Sequence, residues 1–264
     1  MRTSARVAVL VAGVVTGATA SAGGARPVST AALLKSAGQM VLVTTPAWST
    51  VRGTLSAFER GADGTWQPAH LSGVAASTPV PIVVGQNGTA WDAALVPPVA
   101  GPVKVEGDGK SPAGVFALGS AFGMAAATEA AWLKLPYLEL TPSLECVDDP
   151  ASGHYNELLA RESVDVDWKS SEKMRATGPA YQWGIVVQHN TRPAVPGRGS
   201  CVFLHVGGDG GKGTAGCTAM AEPSLKAVMQ WLDPQRAPVL VQLPLDAYKA
   251  LRSAWGLPAL PIAR

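Results

Sequence analysis

The feature that most constrains this chain is its punctuation. Residues 41–45 (VLVTT), 51–58 (VRGTLSAF) and 80–84 (VPIVV) are short runs rich in β-branched residues, bounded by Gly, Pro, Asn or Asp. Residues 113–117, 137–141, 184–188, 202–206 and 238–243 read the same way. Branched side chains suit a pleated surface, and the breakers between runs supply turns, so each run predicts a strand of four to eight residues. With 29 Gly and 21 Pro among 264 residues, long helices are excluded. Helical signals are few. Glu222-Pro223-Ser224 opens a run through Trp231 and Leu232, with Pro in the first turn where its missing N–H costs nothing. Residues 245–255 form a second candidate and 125–133 a third. The pattern predicts a mainly β chain, a sandwich or barrel carrying two or three short helices. No fixed-period repeat is present, which excludes solenoids and propellers.

The first 22 residues read as an export signal: a basic MRTSAR start, an apolar stretch over 7–18, then the small-x-small patterns Ala18-Thr19-Ala20 and Ala20-Ser21-Ala22. The apolar run is too short and too glycine-broken for a membrane span, so no stable membrane insertion is expected after cleavage. Residues 23–38 are expected to be a flexible entry segment and 39–264 one domain. Without Arg2 and Arg6 the basic count falls from 21 to 19, equal to the 19 acidic residues. A nucleic-acid binder that neutralises phosphates should carry a basic excess, so that class is disfavoured. The expectation is an exported, periplasmic or envelope protein, acting as a monomer.

Export changes how the three cysteines read. In an oxidising compartment Cys146, Cys201 and Cys217 suggest one disulfide and one free thiol. Cys217 sits among small residues, Thr214-Ala215-Gly216-Cys217-Thr218, where a substrate could reach it. The expected bridge is therefore Cys146–Cys201. Three reduced, buried thiols are the alternative.

Chemistry concentrates in residues 199–220, GSCVFLHVGGDGGKGTAGCTAM. Strand alternation puts Phe203 and His205 on one face and Val202, Leu204 and Val206 on the other. Five glycines between 207 and 213 allow a tight reversal, so His205 and Cys217 can meet across it. Cysteine catalysis needs that pair, because the thiolate is the nucleophile and an imidazole can take its proton. The ring must be held through its other nitrogen. Asp209 is one candidate holder and a backbone carbonyl from residues 206–208 another. The N–H groups of Gly216 and Cys217 are expected as oxyanion donors.

At this segment the sequence resembles the L,D-transpeptidase (YkuD-like) family of bacterial cell-wall enzymes. That family carries a histidine at a strand end, a variable loop and then Ser/Thr-His-Gly-Cys. The corresponding elements here are His205, the glycine loop and Thr214-Ala215-Gly216-Cys217. Upstream, Lys110-Ser111-Pro112-Ala113-Gly114-Val115-Phe116 looks like the family's Thr-Pro-x-Gly-x-Phe/Tyr strand. The resemblance implies a β-sandwich or barrel-like catalytic fold, with His205 as base and Cys217 as acylated nucleophile. It also implies an orienting carbonyl just after His205, assigned to Gly207. The substrate it implies is the peptidoglycan stem peptide, cut after an L-centre of diaminopimelate and passed to another stem's amine, or to water in a hydrolase. No cofactor is implied. Two positions depart from the pattern. Ala215 replaces the histidine before Gly-Cys, and Thr218-Ala219-Met220 lacks the usual Arg or Asn. A decayed, wall-binding module is a third reading, supported by Ala215.

The missing Arg leaves a substrate carboxylate without an obvious partner, for which Lys212, Arg175 and Arg198 are candidates. His189, Asn190, Thr214 and Tyr155 complete the expected substrate contacts. Ser171–Arg175 reads as a helix start or a turn with solvated charges, with contact to substrate as the alternative, and His70 reads as surface. A zinc set of His189, Cys201, His205 and Cys217 lacks the usual close ligand spacing, so no metal is expected.

Overall fold

The structure, a computed structural model, describes residues 29–74, 78–95, 98–191 and 193–260. The expected signal segment, residues 1–22, lies outside these residues. In chain order the regular elements begin with α1 (Thr30–Ser36), β1 (Gln39–Thr45), β2 (Arg52–Arg60), β3 (Trp66–Pro68), β4 (Val80–Val83) and β5 (Thr89–Trp91). Next come β6 (Ser111–Gly123), β7 (Tyr137–Glu139), β8 (Leu144–Val147), β9 (Leu158–Ala160), β10 (Ser171–Lys173) and β11 (Trp183–Val187). The last are β12 (Phe203–Val206), β13 (Thr218–Met220), α2 (Glu222–Trp231), β14 (Val239–Pro244) and α3 (Leu245–Leu251).

Every residue of β1 is buried, Val41 and Val43 on one side and Met40 and Leu42 on the other. A strand with no wet face must lie between two apolar layers. The inner layer is a closed barrel. The ring runs β1-β14-β6-β11-β12-β13-β4-β2, and β2 pairs back onto β1. All eight strands send side chains inside, among them Val43, Ile82, Phe116, Ile185, Leu204, Met220 and Leu240. Helix α2 adds Leu225, Val228 and Met229 to the same cluster. Closure removes sheet edges that would otherwise template aggregation.

Two further apolar clusters cover the outside of the barrel. On one flank α1 and α3 bring Leu34, Tyr248 and Leu251 against Met40, Leu42, Val115 and Val241. On the other lies a small separate sheet, β10-β8-β9. Leu144 and Cys146 of β8, with Met174 and Tyr181 beyond β10, pack there on Phe122, Phe203 and Cys217.

The mainly β expectation holds, as do the helices opening at Glu222 and near residue 245. Two expectations do not. Residues 30–36 of the supposed flexible entry form α1, whose Ser29 side chain accepts the Ala32 N–H and whose Leu34 is buried. Residues 125–133 form successive turns rather than a helix. Glu129 and Glu139 accept the amides of Ala126 and Ala127, and the chain must return at once to lay β7 beside β6.

Candidate active site

Register places the reactive residues. Directly opposed residues in a sheet share a face. Reading across the barrel, Phe122 opposes Gly184, Gly184 opposes His205, His205 opposes Ala219, Ala219 opposes Val83, and Val83 opposes Arg52. These six residues form one row on the outer surface. Gly184 is required in it, since a Cβ there would lie 2.2 Å from the Phe122 ring. Cys217 lies two residues before Ala219, so it shares this outer face with His205, offset by one diagonal step. Val202, Leu204 and Val206 turn to the barrel interior, as strand alternation predicts.

Cys217 is 7% exposed, and its sulfur is buried. It accepts the Phe203 N–H at 3.3 Å and donates to the Cys201 carbonyl at 3.4 Å. Burial pushes the thiol up, and the nearby Glu172 charge pushes it the same way; the Phe203 amide and the Tyr181 hydroxyl offset part of this. His205 is 9% exposed, and burial lowers its pKa against the opposing effect of the Val206 carbonyl. Both groups are thus neutral at rest, and they share no hydrogen bond in this state.

The ring is oriented through Nδ1, which lies 2.8 Å from the Val206 carbonyl. A carbonyl only accepts, so Nδ1 carries the proton and Nε2 keeps its lone pair. The orienting carbonyl is therefore that of Val206. Gly207, expected in this role, instead donates its N–H to Met220. Tyr181 stands edge-on to the imidazole at 5.4 Å. Its hydroxyl donates to Glu172 at 2.7 Å, and burial raises the Tyr181 pKa, with Cys217 the next contributor.

The turn carrying Cys217 is braced from within. Thr214 Oγ1 accepts the Gly216 N–H at 3.1 Å and donates to the Cys217 carbonyl at 2.6 Å. That occupies the Gly216 amide expected as an oxyanion donor, and it makes Thr214 a brace rather than a substrate contact. Ser111, from the Ser-Pro-Ala-Gly-Val-Phe segment, also donates to the Cys217 carbonyl, at 2.8 Å, while accepting the Gly85 N–H. The two segments quoted for the family resemblance meet here. Ala215 is exposed, so the missing histidine leaves open space beside the cysteine.

Cys146 and Cys201 form a disulfide, which removes Cys201 from any zinc set, and Cys217 is the free cysteine. Among the described residues no cluster of three or more His, Cys, Asp or Glu is arranged to hold a metal.

Most of the other expected substrate contacts are committed elsewhere. His189 is 1% exposed; its ring bonds the Arg198 carbonyl at 3.0 Å and packs on Phe116. Asn190 clamps its own loop through Val195 and Gly199. Tyr155 is buried with its hydroxyl on Glu106, and Arg175 donates to the Leu140 carbonyl at 2.6 Å. Arg198 belongs to the loop that holds His189, while Lys212 is exposed at the end of the glycine loop. In the Ser171–Arg175 stretch a 3-10 helix does start, at Met174, and Lys173 and Arg175 are exposed, but the residues before it are not a solvated turn. Ser171–Lys173 is β10, and burial raises the Glu172 pKa against the hydrogen bond from Tyr181. His70 is exposed as expected. Sequence reasoning missed Tyr181, Glu172 and Ser111 as neighbours of Cys217; Ser111 and Glu172 lay in segments already singled out, whereas Tyr181 did not.

The family model of the L,D-transpeptidase catalytic domain, YkuD, matches residues 71–241. The chain belongs to this family. The match covers well over half the chain and takes in both Cys217 and His205. The barrel of this L,D-transpeptidase domain is completed by β1 and β2, which precede the matched stretch. Comparisons with curated proteins and with solved structures gave no match. YkuD domains are peptidoglycan-modifying, so the outer face around Cys217 is read against that class of substrate. No helix among the described residues is long and apolar enough to cross a membrane.

Proposed function

We propose that the protein is an exported cysteine acyltransferase acting on peptidoglycan stem peptides, with Cys217 as nucleophile and His205 as its base. The observation that carries this reading is the state of His205. Its Nδ1 proton is committed to Val206, its Nε2 lone pair is kept, and it shares the outer barrel face with the one free cysteine. The disulfide and the leader-like first 22 residues support export.

Both groups start neutral, so the proton moves as the bond forms. The sulfur attacks the amide carbonyl of the donor stem while its proton passes to His205 Nε2. The Cys217 N–H is the backbone donor for the oxyanion. Collapse breaks the C–N bond, and Nε2 returns the proton to the departing amine, leaving a thioester. An acceptor amine then attacks and Nε2 takes its proton; as the C–S bond breaks, Nε2 passes that proton to the sulfur, restoring the thiol and the neutral imidazole. The resting separation of the pair fits apo sites, where catalytic hydrogen bonds tighten only with substrate bound.

Incubation with tetrapeptide-bearing muropeptides tests the assignment. Cross-linked dimers are expected. Shortened monomers alone would make the protein an L,D-carboxypeptidase or endopeptidase. If neither product forms and a carbapenem leaves no mass on Cys217, the chain is a wall-binding module and the enzymatic reading falls.

A further inference from the structure

An open cleft of about 380 Å³ lies on the same outer face as the cysteine, at the far end of the row that contains His205. Arg52, Gly53, Pro81, Ile82, Val83 and Ala221 line it, together with Gly207, Gly208, Gly210 and Gly211. The glycine walls are bare backbone, with left-handed φ of 89°, 77° and 70° at Gly208, Gly210 and Gly211, so a ligand can approach peptide groups directly. The exposed Arg52 side chain lies so close to this loop that a Cβ on Gly211 would be 2.3 Å from Nη2. Its guanidinium has no ion pair or hydrogen bond among the described residues.

Between His205 and Arg52 the row holds only Ala219 and Val83, small apolar residues buried under Gly207 and Gly208, so a peptide joining the two ends would run along the bare backbone of the glycine loop. Three strand spacings separate the ends, roughly 14 Å between Cα atoms, and the arginine side chain shortens that gap. An extended peptide advances about 3.4 Å per residue. A group at Arg52 is therefore two to four residue lengths from a carbonyl near His205. A guanidinium fork in such a cleft recognises a carboxylate, with bidentate, charge-assisted hydrogen bonds.

We propose that this cleft is a carboxylate subsite, in which Arg52 binds a free carboxylate of the stem peptide held at Cys217. This rests on the stem-peptide reading above and adds a recognition residue to it. None of the cations expected from the sequence fills this place: Arg175 and Arg198 belong to other loops, and Lys212 stands at the loop's exposed end. Arg52 was invisible to sequence reasoning because it lies 165 positions before Cys217 in the chain and reaches the site only through barrel closure.

The test is equilibrium binding of a fluorescent stem tetrapeptide, with carboxylates either free or amidated, to the full-length Cys217→Ala protein. The same titration is made with Arg52→Gln and Gly211→Ala added singly; the second displaces the guanidinium while keeping its charge. The free-carboxylate peptide is expected to bind at least 10-fold tighter than the amidated one. Each added substitution should weaken the free peptide about 10-fold and leave the amidated one unchanged. Arg52→Lys should recover part of the loss. Equal losses for both peptides, no loss with Arg52→Gln, or no binding of either peptide would overturn the subsite. Carboxylate-dependent binding in these titrations, together with a wild-type protein whose Cys217 a carbapenem never acylates, would sink the enzymatic reading and leave the subsite standing.

Discussion

Cys217 and His205 are held neutral at rest by one cause, removal from water, and what surrounds the sulfur decides how readily it ionises. Burial and the Glu172 charge raise the thiol pKa, while the Phe203 amide and Tyr181 hydroxyl work the other way. Removing the Glu172 charge should therefore lower it. In Glu172→Gln the pH profile of Cys217 alkylation by iodoacetamide should move to lower pH. An unmoved or upward-shifted profile would show that Glu172 does not act on the sulfur. His205 is tested by a different dependence. His205→Gln should slow carbapenem acylation of Cys217 by about 10²- to 10⁴-fold at pH 7. The deficit should narrow as pH rises, because thiolate then forms without a base; a loss constant with pH would indicate a structural defect. At this scale the sequence made the Cys–His pair legible, since strand parity and the glycine reversal are local. It could not reveal Tyr181 and Glu172, which reach the sulfur from 36 and 45 positions earlier in the chain.

Among elements, the separate sheet and its disulfide do what a strand pair alone cannot. The bridge joins β8 to the residue that introduces β12, and Cys201 there adopts a left-handed φ of 53°, a conformation that costs a non-glycine residue energy. Asn156 Oδ1 accepts the Cys201 N–H at 2.9 Å, and the Cys201 carbonyl in turn accepts the thiol proton. The bridge closes a loop of 55 residues, for which chain entropy gives at most about 4 kcal/mol. A Cys146→Ala/Cys201→Ala protein should melt roughly 5–15 °C lower than the wild type under oxidising conditions. Reductant should lower the wild-type Tm toward the same value, and coincident melts of all samples would contradict a stabilising bridge. The pairing was legible because one cysteine alone sat among small residues. The failed helix at 125–133 shows the opposite case. Its alanine-rich composition favours a helix, but the Glu129 and Glu139 carboxylates and the short return to β7 prevail.

For the molecule as a whole, the sequence indicated short strands and their faces, but not closure, which depends on β1 meeting β14 in parallel some 200 residues later. The same ring leaves its outer face to be covered from elsewhere, and the cover over Cys217 is held by the disulfide, by apolar packing and, at its centre, by one buried carboxylate. Glu145 in β8 is 3% exposed; it accepts from Trp168 at 2.8 Å and Ser171 at 2.6 Å and pairs with Lys173 and Arg161. Burial works to raise its pKa, yet the bonds from Lys173, Ser171 and Trp168 outweigh this and hold it at about 2, against an ordinary 4.5. A carboxyl depressed by folding contributes stability that is complete above the unfolded value and is lost as pH falls through the folded one. The covering sheet should therefore loosen between pH 4.5 and 2, before the barrel interior responds, whose buried polar side chains Gln39, Thr218 and Gln242 carry no charge. Hydrogen exchange in that window is expected to accelerate in β8, β9 and β10 while β1, β6 and β14 stay protected. Glu145→Gln should show fast exchange in the same three strands already at pH 7 and little further change on acidification. If barrel and cover exchange together at every pH, the cover is not a separate cooperative unit, and Glu145 does not govern access to the sulfur.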